Sequence, residues 1–154
     1  MFIHSKREQR LGELEERVRR IDALTPRLLF DVIAGVCVRS EARSGPAKAR
    51  IDRLIEAGAF TEATLALIEL ELPQWQLRRL VYEDGEWLCC LSRQPALPAG
   101  LDECAEASHE VLPVAVLSAF LQALCVASSA PCAVTTVPQV RDAACTTMCC
   151  ENFA

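Results

Sequence analysis

Residues 75–93 read WQLRRLVYEDGEWLCCLSR, and this stretch decides how the chain is arranged. Two runs rich in aliphatic and aromatic residues flank Asp84-Gly85, a dipeptide suited to the two positive-φ positions of a type I′ turn. A two-residue turn sets the register. Tyr82 faces Trp87, Leu80 faces Cys89 and Arg78 faces Leu91 on one side, while Val81/Leu88 and Arg79/Cys90 share the other. The aromatic pair beside the turn should stabilise this pairing, and Glu83 opposite Glu86 should weaken it slightly. Both faces carry large apolar groups, so helices are expected to cover much of each.

Helical signals precede the hairpin. Leu11, Leu14, Val18 and Ile21 recur at three- and four-residue steps within an amphipathic helix from Glu8 to Asp22, too short to be a coiled coil. Thr25-Pro26 reads as N-cap and first helical position. The helix it opens, PRLLFDVIAGVCVR, is apolar nearly all round, with Phe30 and Val38 among its core candidates. Residues 40–46 form a loop by composition. A helix at 47–57 ends at Gly58, and Thr61 can cap another that Pro73 ends.

After the hairpin, residues 94–100 read as a loop. A short helix is expected over Leu101–Ala107, then a longer apolar one over Leu112–Ala127. No charged residue occurs from Val111 to Val140. The helical part is at the lower edge of bilayer-spanning length, and Pro113, Ser118 and Gln122 interrupt it, so a buried core helix is the better reading. Residues 128–154 have no helical period and read as an irregular, flexible tail rich in Ser, Thr, Pro and Cys.

The 154 residues suit one domain and carry a net charge of −5. Residues 1–53 hold twelve Lys/Arg and eight Asp/Glu, a net +4, and the remainder is −9. Solvated helix faces account for this split as readily as an anionic partner does. The N-terminus lacks an apolar run of signal-peptide length, so a cytoplasmic chain is expected. In that setting the nine cysteines are read as thiols or metal ligands, not as a disulfide framework.

No catalytic constellation is legible. Asp102, Ser108 and His109 resemble a triad by residue type alone. His109 and Cys104, if helical, would lie well apart around the axis. Cys89 and Cys90 point to opposite faces of a strand, and Cys37 sits in the most apolar helix. None of the six glycines builds a phosphate-cradling loop. Cys145, Cys149 and Cys150 form C-x3-C-C, soft ligands for Zn, Cu(I) or an iron–sulfur cluster, but not in a recognised metal-site spacing. Residues 47–72 followed by the hairpin also invite a winged-helix reading. The presumed recognition helix, 62–72, carries Glu62, Glu69 and Glu71 and no Lys or Arg, which argues against nucleic acid.

The segment RLVYEDGEWLCCLSRQPALPAGLDECAEASHE, continuing into LPVAVLSAF, resembles a set of uncharacterised short alphaproteobacterial proteins of the Rhizobiales type. The terminal CCENFA is similar too. The resemblance covers about the last two-thirds of the chain. It implies a bacterial cytoplasmic protein and, since that family has no assigned activity, no catalytic residue.

The sequence therefore predicts an α+β, mostly helical chain, with five or six helices around one antiparallel hairpin at 75–93. Residues 1–127 form a single domain and 128–154 the tail. The expected function is a small non-enzymatic protein-interaction or regulatory module without a cofactor. Its contact surface is Tyr82, Glu83, Asp84, Glu86 and Trp87. The expected partner is another protein, and a homodimer is compatible with the composition. A thiol-based metal or redox protein using Cys145, Cys149 and Cys150 is the alternative, and DNA binding the second.

Overall fold

The computed structural model describes residues 2–39, 45–98 and 100–129. Among the described residues four helices come first: α1 (Phe2–Arg19), α2 (Pro26–Val36), α3 (Pro46–Glu56) and α4 (Phe60–Glu71). Strands β1 (Gln76–Glu83), β2 (Glu86–Ser92) and β3 (Cys104–His109) follow, and then α5 (Leu112–Ser129). The fold is α+β and mostly helical. The three strands form one antiparallel sheet in the order β1-β2-β3.

Local chemistry explains two of the helix ends. The Thr25 hydroxyl accepts the Leu28 N–H at 3.3 Å, and Pro26 opens α2. The end of α3 is a Schellman motif. Gly58, at φ +76°, donates to Ile55 O (3.0 Å), and Ala59 donates to Leu54 O (2.9 Å). Thr61 is not the cap of α4. That helix starts at Phe60 with no side-chain cap, and Thr64 instead donates its hydroxyl to Phe60 O at 2.8 Å. Helix α1 reaches back to Phe2 and stops at Arg19, so the periodic stretch from Glu8 marks its buried part and not its start.

The hairpin forms with Tyr82 opposite Trp87, Leu80 opposite Cys89 and Glu83 opposite Glu86. Asp84 (φ 54°) and Gly85 (φ 87°) supply the left-handed turn. Arg78 does not face Leu91. The register shifts between Leu77 and Arg79, so Leu77 takes that place and Arg78 is the extra residue of a bulge.

The expected helix at 101–107 is absent. Residues 104–109 instead extend the hairpin into a three-stranded sheet, from Trp87↔His109 to Ser92↔Cys104. The physical reason is side-chain period. Ala105 and Ala107 pack on the core while Glu106 and Ser108 are exposed, an alternation of two that a helix cannot accommodate. Pairing also satisfies the second edge of β2.

Helix α5 is the centre of the molecule, packed by α1, α4, β2 and β3. Val114, Ala115, Val116 and Leu117 are all fully buried, which is more than one turn and so covers every side of the helix. Phe120 is the largest fully buried side chain. By length and composition α5 could cross a membrane, with mean hydropathy 1.8, yet half of it is enclosed by protein. Its helical form continues to Ser129, beyond the expected limit of the domain at 127. The core also takes Leu11, Leu14 and Val18 from α1 and Leu28, Leu29, Val32 and Ile33 from α2. Phe30 and Val38 lie outside it, at 41% and 59% exposure. The apolar character of α2 thus exceeds what the fold buries. Helix α5 covers the sheet face that holds Cys89, Leu91 and Ala105, so the described helices do not sandwich the hairpin as its sequence suggested.

Candidate functional site

At the turn end of the hairpin the Tyr82 and Trp87 rings meet at 5.2 Å with planes tilted 53°. Trp87 packs against the core, while Tyr82 is 59% exposed. One ring is therefore anchored and braces the other in water, which fixes a large aromatic surface outside the core. Around it stand Glu83, Asp84 and Glu86, all exposed. The like-charge pair Glu83/Glu86 is relieved by Arg79, whose guanidinium reaches Glu83 at 2.9 Å. All five residues read as a contact surface thus lie together at one end of the sheet. The third strand adds His109 to the same row, opposite Trp87.

The Nδ1 atom of His109 accepts the Val111 N–H at 2.9 Å. That bond engages Nδ1 with the backbone that leads into α5. The triad-like residues do not converge. Ser108 and His109 are adjacent on a strand and point to opposite faces, and Asp102 is engaged elsewhere.

Asp102 is the most heavily hydrogen-bonded side chain among the described residues. Its carboxylate has no exposed surface and accepts from Arg78 (2.6 Å), the Gln94 N–H (2.8 Å), the Cys104 thiol (3.3 Å) and the Ser92 hydroxyl. Loss of solvent pushes its pKa up, but the hydrogen bonds from Ser92, Gln94, Cys104 and Arg78 outweigh that and hold it below the usual carboxylate range. The arrangement clamps the bulge of β1, the end of β2 and the loop leading into β3. It gives the bulge a reason, since Arg78 steps out of register to reach Asp102. Three of these donors converge on Oδ2 and one on Oδ1, all from within the protein.

Three of the described thiols, Cys89, Cys104 and Cys125, are held in the protonated form. Burial pushes Cys89 up to about 12, with the neighbouring Cys90 adding to the shift. Burial, then the Asp102 carboxylate, pushes Cys104 up to about 11. Burial and Glu15 do the same for Cys125, also to about 11. Cys89 and Cys90 do face apart, but Cys104 meets Cys90 across the strand pair, a contact that a helical reading of residues 101–107 could not foresee. No three His, Cys, Asp or Glu side chains among the described residues are grouped to hold a metal ion. Cys145, Cys149 and Cys150 lie outside the described residues, as does the rest of the expected tail beyond Ser129.

Sequence reasoning missed one further feature, a cleft of about 210 Å³ between α1, β3 and α5. It is lined by Glu15 and Arg19 of α1, by residues 106–109 of β3, and by Ser118 and Gln122 of α5. Ser118 and Gln122 were visible as polar breaks in an apolar helix. Their four-residue spacing puts them on one face, and that signal could have marked a solvent-reaching side of α5. No protein-family model, curated protein or solved structure matches this chain.

Proposed function

We propose that this chain is a small, non-enzymatic protein-interaction module that uses the turn end of its sheet as the contact surface. The observation that carries the reading is Tyr82, a large ring left 59% exposed yet held in place by Trp87 and bordered by carboxylates. Rigid aromatics beside charge are typical interface anchors, because they contribute contact area with little side-chain entropy to lose. The carboxylates of Glu83, Asp84 and Glu86 favour a partner with a basic surface around an apolar recess. The raised thiols of Cys89, Cys104 and Cys125 support a role without thiolate chemistry at those positions. DNA binding finds less support. The exposed residues of α4 are Glu62, Glu69 and no cation, so phosphates would be repelled there.

The test is site-specific photo-crosslinking in cells, with a benzoylphenylalanine at position 82 and, as control, at the exposed position 101. A discrete adduct at 82 is expected, and Glu83→Lys with Glu86→Lys should reduce it roughly tenfold. An adduct unaffected by that charge reversal would remove the acidic tip from the contact. No adduct at 82 would remove the whole surface.

A further inference from the structure

We infer that the free edge of β3, with the cleft beside it, is a second docking site that takes an extended peptide carrying a lysine or arginine. This surface is separate from the hairpin turn and does not depend on it. The argument starts with the register. Arg93 donates its backbone N–H to Glu103 O at 3.1 Å, so 93/103 is a hydrogen-bonded pair. In an antiparallel ladder such pairs alternate. The backbone groups of Ala105, Ala107 and His109 therefore face β2, and those of Glu106 and Ser108 face away. Those outward N–H and C=O groups border the 210 Å³ cleft, with Glu15 and Arg19 opposite and Ser118 and Gln122 on the third side. Unpaired strand groups beside a cleft walled by a helix are what an added strand needs: main-chain bonds for affinity and a recess for one side chain.

The two edges of the sheet are not alike. On β1 the Arg78 bulge and the charged pair Arg78/Arg79 break the pairing surface, devices that keep an edge from recruiting a strand. β3 pairs without irregularity and holds no Pro, Lys or Arg. What it does hold is Glu106, exposed and without an ion-pair or hydrogen-bond partner among the described residues. Glu15, half-buried across the cleft, receives only the Cys125 thiol, at 3.6 Å. Arg19 lies 3.8 Å from Glu16 and does not pair with Glu15. Among the residues lining the cleft Glu15 and Glu106 outnumber Arg19, so its charge balance is negative and favours a cation. The same charges oppose a second copy of this chain. Edge-to-edge pairing of two β3 strands would bring Glu106 and Glu110 of both together, which is destabilising.

The experiment uses the full chain and a short capped peptide of alternating Thr and Val with Arg at its centre, labelled for fluorescence anisotropy. A matched peptide with Glu at the centre is the control. Saturable binding of the Arg peptide is expected, with the Glu peptide roughly tenfold weaker. Glu106→Lys should reverse that order, and its circular dichroism should match wild type because Glu106 is exposed. Hydrogen exchange of the Glu106 and Ser108 amides should slow by about tenfold or more on binding. Four results overturn the proposal: no binding of the Arg peptide, equal binding of both peptides, binding that leaves those two amides unprotected, or a dimer in sedimentation that already protects them.

Discussion

Phe120→Ala tests whether α5 is the core of a water-soluble fold or an apolar helix awaiting a membrane. Phe120 is fully buried on a helix that α1, α4, β2 and β3 surround. Truncating such a side chain removes its transfer free energy and leaves a cavity, together about 3–5 kcal/mol. In a chain of this size each kcal/mol lowers Tm by about 2–4 °C, so the variant should melt roughly 6–20 °C below wild type. Leu101→Ala is the control. That leucine is 73% exposed, and its loss should move stability by no more than about 0.5 kcal/mol. The assay is thermal melting followed by far-UV circular dichroism in detergent-free buffer. If Phe120→Ala melts within about 2 °C of wild type, like Leu101→Ala, the packing argument fails. α5 would then have to be read as a helix whose apolar surface belongs to lipid.

Three other expectations follow from particular residues. Asp102→Asn should destabilise the fold at neutral pH, because the amide keeps one acceptor oxygen, loses the charge that Arg78 pairs with, and turns an NH2 toward the remaining donors. The carboxyl pKa is depressed in the fold, so its contribution is full above the unfolded value of about 3.9 and is lost as pH falls through the folded value. Urea midpoints of wild type and variant should therefore differ most near neutrality and converge in acid, and a constant gap would contradict this. Alkylation by iodoacetamide near pH 8, mapped by peptide mass, should be about a hundredfold slower at Cys104 than at an ordinary thiol, since its pKa moves from 9.0 to about 11. Rapid labelling there would show that the Asp102 contact does not hold the proton on sulfur. Two glycines should respond with opposite sign in denaturant titrations: Gly58→Ala, at φ +76°, loses about 1 kcal/mol, while Gly12→Ala, in α1 with nothing within 4 Å of a new Cβ, gains about 0.5–1 kcal/mol.

What the sequence determined by itself was the local structure. Asp84-Gly85 specified the turn and hence the facing of Tyr82 and Trp87, because only a few residues tolerate two successive positive φ angles. Thr25-Pro26 specified the start of α2, and Gly58 the end of α3, because capping is chemistry within one turn of chain. The five residues of the hairpin end were legible as a surface for the same reason. Tertiary structure decided the rest. Residues 104–109 hold no strong β-former, and they became a strand because β2 offered an open edge and α5 a face for Ala105 and Ala107. The bulge at Arg78 answers to Asp102, twenty-four residues away, and no local window contains both. Phe30 was apolar enough for the core but lies on the outside of α2, and Val38 falls beyond the end of that helix, because which face of a helix is buried depends on the neighbours that reach it. The cleft beside β3 exists only once α1, β3 and α5 have met, so Glu15 and Glu106 line one site although ninety-one positions of sequence separate them.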